Sequence, residues 1–146
     1  MTVHASDSTP QQDAEPLFRD ALEELTGLTY SPEDVHCGDF YVKCDAVGRN
    51  ENNDVIELAE IYARQDPLHG AQPKKLNDDA ARLMIAQRHC YPDAILRLVS
   101  SPIVVDQIQR SWRHLALVEM GVELTPVQLD EETIASIRKA QHDQKR

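Results

Sequence analysis

Two histidine–cysteine pairs and a third cysteine are the side chains of this sequence best suited to chemistry. His36-Cys37, Cys44 and His89-Cys90 offer enough imidazole and thiol groups to hold a zinc ion. Their spacing argues against it, because zinc ligands usually come in pairs about two to four residues apart, and adjacent helical residues diverge by about 100°. We therefore predict no metal ion and no cofactor, with Cys44 packed inside a sheet, Cys90 at a helix end and His36 exposed.

The same residues are poor candidates for nucleophilic catalysis. A base must contact its nucleophile in space, which chain neighbours such as His36 and Cys37 seldom do. The nearby carboxylates of Glu33, Asp34 and Asp39 raise the pKa of the Cys37 thiol instead of activating it. The sequence also lacks a glycine-rich phosphate loop, a Gly-x-Ser-x-Gly elbow and a His-Glu-x-x-His helix. We predict no catalytic residues.

Negative charge is concentrated in the first two-fifths of the chain. Residues 1–60 hold 14 acidic and three basic side chains, whereas residues 61–146 hold 11 acidic and 12 basic ones. A sequence pI of about 4.9 makes direct nucleic-acid binding unexpected. Such an acidic field attracts a basic protein partner and speeds its association. The predicted partner-binding residues are Glu23, Glu24, Asp39, Asp45, Glu51 and Asp54.

The elements that position these residues begin with an amphipathic helix. It is predicted to start at Pro16 and to end at Gly27, which can adopt the left-handed conformation of a helix stop. Its inward face is formed by Phe18, Ala21, Leu22 and Leu25. Residues 31–34 are predicted to form a turn or a single helical turn.

One β-hairpin is predicted near residues 40–64. Residues 40–46 alternate with the period of a strand, which places Phe40, Val42, Cys44 and Ala46 on one face. Residues 48–54 form a polar turn. The composition of residues 55–64 also suits a helix, but a strand needs a partner, and this run is the nearest one.

Four helices are predicted after the loop at residues 66–75. The first is capped by Asn77 and ends near His89, and a short one covers residues 92–99. The longest runs from Ser101-Pro102 to Gly121, and the last is capped by Asp130. The inward face of the longest helix is formed by Val104, Ile108, Trp112, Leu115 and Val118.

These elements predict an α+β fold: a predominantly helical single domain of about five helices with one β-hairpin, or alternatively an all-α domain. Residues 1–14 are expected to form a mobile polar arm, residues 15–142 the globular domain and residues 143–146 a frayed end. No apolar run suits a membrane span, and an odd number of cysteines with no framework spacing indicates a cytoplasmic protein.

The function predicted from these observations is that of a small acidic cytoplasmic regulatory protein, such as an inhibitor, immunity protein or antitoxin, which binds a basic partner. The alternative is a small enzyme or accessory subunit whose pocket lies between hairpin and helices, around His36, Cys37, His69 and His89. A third possibility is a structural subunit that dimerises through an exposed apolar helix face.

Overall fold

The structure is a computed structural model that describes residues 9–144. The helices are α1 (Thr9–Thr26), α2 (Gln72–Cys90), α3 (Pro102–Gln109), α4 (Trp112–Glu119) and α5 (Glu131–Gln144). The strands are β1 (Thr29–Cys37), β2 (Phe40–Arg49), β3 (Val55–Tyr62), β4 (Ile95–Ser100) and β5 (Val122–Pro126). None of these helices is long and apolar enough to cross a membrane.

The strands form one mixed sheet in the order β1-β2-β3-β4-β5. The pairs β1–β2 and β2–β3 are antiparallel, whereas β3–β4 and β4–β5 are parallel. One face packs on α2, α3 and α4 through a core that includes Leu58, Leu83 and Leu117. The other packs on α1 and α5 through a second core that includes Phe18 and Ile137. The molecule therefore has three layers, with the sheet in the middle.

The predicted fold class is wrong. The chain is α+β with five helices and a five-stranded mixed sheet, so it is neither predominantly helical nor all-α. The predicted hairpin near residues 40–64 corresponds to β2 and β3, which are two strands of that larger sheet. The N-terminal arm predicted for residues 1–14 lies largely outside the described residues, although residues 9–14 belong to α1, and residues 145–146 also lie outside them.

The segment predicted as a turn at residues 31–34 belongs to the edge strand β1. Between the pairs Ser31↔Val47 and Glu33↔Cys44, the single residue Pro32 faces two residues of β2. Those two residues form a β-bulge, and an edge strand at a bulge is one of the few places in a sheet that tolerate proline. Pro32 therefore does not end the strand.

The short helix predicted at residues 92–99 is the strand β4. Parallel strands that are covered on both faces carry a continuous apolar run without the alternation of an exposed strand. Leu96, Leu98 and Val99 are all buried, so β4 lacks the strict alternation of a half-exposed strand. The strand β5 was not predicted, since it is a five-residue element directly after a helix.

The longest predicted helix is divided into α3 and α4 at residues 110–111. The hydroxyl of Ser111 caps α4 by accepting a hydrogen bond from the backbone N–H of Arg113 (3.3 Å). After this break the helix turns its predicted inward face to solvent, and Trp112, Leu115 and Val118 are 64%, 68% and 57% exposed. Their inward placement is therefore wrong.

The ends of the other helices agree with the prediction in part. Gly27, with φ +78°, follows α1, and Asp130 Oδ1 caps α5 by accepting from Thr133 N (2.7 Å). By contrast, α1 already includes Thr9, and α2 begins at Gln72, so Asn77 is not a cap.

Candidate functional site

A fork in the sheet creates a polar hollow. The β2–β3 ladder ends at the pair Ala46↔Ala59. Beyond it, β2 continues only with β1, and β3 continues only with β4. We call this point the fork. The next residues on the two strands are Asp45 and Glu60, so both carboxylates stand at its mouth.

The backbone groups freed at the fork are satisfied by side chains. Asp45 Oδ2 accepts from the N–H of Ile61 at 2.9 Å, which replaces a lost ladder bond. The carbonyl of Asp45 accepts from Arg19 Nη1 at 3.0 Å. Asp45 and Ala46 are also the two bulge residues opposite Pro32, and a bulge re-aims the side chains of its strand. Ala46 accordingly packs in the core under α1, away from Cys44, which corrects the predicted strand face.

A cavity of about 500 Å³ opens at the fork between α1 and α2. Four carboxylates from four elements line it: Glu15 of α1, Asp45 of β2, Glu60 of β3 and Asp79 of α2. The other lining residues are Tyr41, Val42, Lys43, Ile61, Tyr62, Lys75 and Arg82. The walls thus combine acidic groups with three cationic side chains.

Two cationic side chains of α2, Lys75 and Arg82, form salt bridges with Asp79. This buried carboxylate accepts from Arg82 Nη1 at 3.0 Å, lies 3.9 Å from Lys75 Nζ and accepts from the Tyr62 hydroxyl. Burial and the hydrogen bond to Asp79 hold the pKa of Tyr62 well above its usual range, so its hydroxyl stays protonated. Lys75 is 70% exposed along its side chain and can reach into the cavity.

The fork itself has an excess of acidic groups. Within residues 9–144, neither Asp45 nor Glu60 forms a salt bridge with a basic side chain. Burial of the Glu60 carboxyl, with Asp45 close enough to share a hydrogen bond, raises its pKa to about 10. Burial and the charge of Asp45 raise the pKa of Glu15 to about 7, although Arg19 opposes the shift. Such a group of perturbed acids in a cleft is typical of a functional site.

The fork offers two carboxylates to a cation. In the part of the chain that the structure describes, no group of three or more His, Cys, Asp or Glu side chains is arranged to hold a metal ion. Mg²⁺ does not require such a cage, because it keeps several waters and is commonly bound through one or two carboxylates together with substrate phosphates. Asp45 and Glu60 fit that mode of binding.

The six residues predicted to bind a partner lie in separate places. Asp45 alone lines the cavity. Asp39 is in the β1–β2 turn, and Glu51 and Asp54 are in the β2–β3 turn at the opposite end of β2. Glu23 accepts from Tyr30 N (2.9 Å), and Glu24 is exposed beside it on α1. Whether these residues bind a partner stays a prediction.

The predicted thiols and imidazoles lie elsewhere. Cys44 is buried in the sheet as expected, and burial raises the pKa of its thiol to about 12. His36 packs on Tyr41 and His89 on Phe40. None of the residues around which the alternative pocket was predicted lines the cavity at the fork: these are His36, Cys37, His69 and His89.

Sequence reasoning missed Glu15, Glu60, Lys75 and Asp79. A usable signal was present, since Glu60 and Asp45 are charged residues that stand between apolar residues within strand segments. A cap at Asn77 would put Asp79 in the first turn of its helix, but Asp79 is the eighth residue of α2.

Comparison with known proteins gave no match to a family model, to a curated protein or to a solved structure.

Proposed function

We propose that this protein is a divalent-cation-dependent phosphodiester hydrolase whose active site is the cavity at the fork. The observation that carries the proposal is the pair Asp45 and Glu60, held together without a neutralising base and facing the cationic side chain of Lys75. The proposal departs from the earlier expectation of a protein without metal or catalytic residues.

The carboxylate pair at the fork suits a divalent cation. Burial keeps the Glu60 carboxyl protonated at neutral pH, and a divalent cation held by Glu60 and Asp45 can take the place of that proton. Carboxylate oxygens suit a hard ion such as Mg²⁺, and the remaining coordination positions stay open to water and substrate. If held there by Asp45 and Glu60, such a cation would polarise a phosphoryl oxygen and lower the pKa of a coordinated water.

The cationic side chains of the cavity suit an anionic substrate. A site that joins a cation-binding carboxylate pair to ammonium and guanidinium groups suits an anion that also coordinates the metal, which describes a phosphate ester. Lys75, Arg82 and Lys43 lie on the walls and can contact its non-bridging oxygens. The shared chemistry is the phosphodiester bond, whether it belongs to a nucleic-acid strand or to a small molecule.

The proposed reaction is hydrolysis of the diester by water. Water attacks phosphorus, a new P–O bond forms, and the bond to the leaving oxygen breaks. Glu15, with a pKa of about 7, is suited to accept the proton of the attacking water at neutral pH. Lys75 can neutralise the charge that develops on the phosphoryl group, and the leaving oxygen takes a proton from solvent.

The test is a hydrolysis assay with Mg²⁺ or Mn²⁺ against a chelator control. Bis(4-nitrophenyl) phosphate tests whether the protein hydrolyses any phosphodiester bond. Labelled single-stranded and duplex oligonucleotides test whether the substrate is a nucleic acid. We expect cation-dependent turnover that falls about 100-fold or more in Asp45→Asn and Glu60→Gln. The matched control Glu51→Gln removes an exposed acid outside the cavity and keeps the wild-type rate. Absence of turnover on all three substrates, or equal rates in Glu60→Gln and wild type, would overturn the proposal.

A second proposal concerns the acids outside the cavity. Glu24, Asp39, Glu51 and Asp54 are exposed and form no salt bridge within the described residues. Their charge supports binding to a basic protein in the cytoplasm, with an association rate that falls as salt increases. The test is the association rate with a basic partner over a salt series; a rate indifferent to salt contradicts this proposal and leaves the first one intact.

A further inference from the structure

The last residues of β1 and α2 bring two cysteines into contact. Cys37 ends β1 and Cys90 ends α2, 53 residues later, and their Sγ atoms are 2.8 Å apart. Cys90 Sγ also lies 3.2 Å from the carbonyl oxygen of His36. The two dipeptides His36-Cys37 and His89-Cys90 are thus neighbours in space.

The surroundings favour a thiol pair over a metal site. The rings of His36 and His89 are engaged with Tyr41 and Phe40, and the described residues contain no group of three metal-ligating side chains. Cys37 is only 7% exposed, and its burial beside Cys90 raises the pKa of its thiol to about 11. Cys90 is half-buried, so it is the thiol that an oxidant in solution meets first.

We propose that Cys37 and Cys90 form an oxidisable pair that closes a disulfide between β1 and α2. With a peroxide as oxidant, the Cys90 thiolate attacks one oxygen, the O–O bond breaks, and a sulfenic acid and hydroxide result. The sulfur of Cys37 then attacks the sulfenic sulfur, and the hydroxyl leaves as water with the proton of Cys37. In sum, two thiols and one hydrogen peroxide give one disulfide and two waters.

This disulfide would connect the edge strand β1 to the last residue of α2, whose N-terminal half carries Lys75 and Asp79. It also closes a long loop, and cross-links of long loops stabilise a protein chiefly by restricting its unfolded state. In a reducing cytoplasm both cysteines remain thiols, so the disulfide forms only when the protein is exposed to an oxidant. The inference does not depend on the proposed phosphodiesterase.

The experiment treats the protein with one equivalent of hydrogen peroxide, unfolds it in urea so that buried thiols become accessible, labels the remaining thiols with maleimide and maps the peptides by mass spectrometry. We expect Cys44 to be the one labelled thiol, a peptide that joins Cys37 to Cys90, and a melting temperature several degrees higher that dithiothreitol reverses. Cys90→Ser abolishes the shift, whereas the control Cys44→Ala retains it. A linkage through Cys44, an intermolecular linkage or a sulfinic acid on Cys90 without the cross-link would overturn the proposal, and the wild-type peptide map decides this even if a variant fails to fold.

Discussion

Replacing Glu60 by glutamine should stabilise the cation-free protein, and should do so more strongly as the pH rises. The pKa of Glu60 is raised from 4.5 to about 10 in the folded protein, so the folded state binds this proton more tightly than the unfolded state. The stability gained from the proton is fully present below about pH 4.5 and is lost as the pH rises toward 10. Glutamine stays neutral throughout.

The size of the effect follows from the shift. Each pH unit between the two pKa values costs up to about 1.4 kcal/mol of the free energy of unfolding. At about pH 7.5, roughly three units above the unfolded pKa, the loss reaches an upper limit of about 4 kcal/mol, equivalent to a melting temperature about 10 °C lower. The raised pKa of Glu15, about 7, adds to the trend in wild type and in the variant alike.

The assay is urea unfolding of wild type, Glu60→Gln and the control Glu51→Gln at about pH 5 and pH 7.5, with a chelator present. Circular dichroism is the suitable probe, because the single tryptophan, Trp112, is 64% exposed and reports poorly on the core. When Mg²⁺ replaces the chelator, it should raise the free energy of unfolding of wild type at the higher pH and leave that of Glu60→Gln unchanged. An equal stability difference between Glu60→Gln and wild type at both pH values would refute the reasoning.

Three further predictions concern the fold and use urea unfolding as the measurement. Gly48→Ala should destabilise the protein by about 1–3 kcal/mol, because an added Cβ would lie 2.8 Å from Tyr30 Cε2; an unchanged midpoint would contradict this close approach. Glu57→Ala should cost about 3–5 kcal/mol, since it leaves the guanidinium of Arg97 without its buried partner; a loss under about 1 kcal/mol would show that the pair is not buried as described. Trp112→Ala should change stability by no more than about 0.5 kcal/mol because the side chain is mostly exposed, whereas a cost typical of a core tryptophan would restore the placement inferred from helical spacing.

The sequence predicts elements well where local chemistry decides them. Asp130 and Gly27 mark helix ends through their own side-chain and backbone preferences, and both stand where expected. The alternation over residues 40–46 likewise identifies β2. These signals depend only on neighbouring residues, so they do not require knowledge of the rest of the fold.

The elements that were missed depend on distant partners. β4 is buried on both faces because helices from other parts of the chain cover it, and its apolar spacing alone does not separate a strand from a helix. Pro32 is tolerated only because β2 has a bulge opposite it. Trp112 has the spacing of a core residue but follows a break in the helix that turns it outward.

The candidate site could not be assembled from the sequence because its carboxylates come from four elements. Glu15 and Asp79 are 64 positions apart and meet only through the fork between β2 and β3. The sequence did not predict that Cys37 and Cys90 lie together, because the two residues are 53 positions apart and meet only where β1 packs against α2. Their contact supports the proposed disulfide, which neither the zinc hypothesis nor the nucleophile hypothesis included.

A crystal soaked in Mn²⁺ tests most directly whether the fork holds a divalent cation. We predict an anomalous scattering peak at about 2.1 Å from carboxylate oxygens of both Asp45 and Glu60, with water completing the coordination. The same soak of Glu60→Gln should give no peak there. A wild-type crystal with an empty fork, or with Mn²⁺ only at exposed acids such as Glu51 and Asp54, would contradict the account.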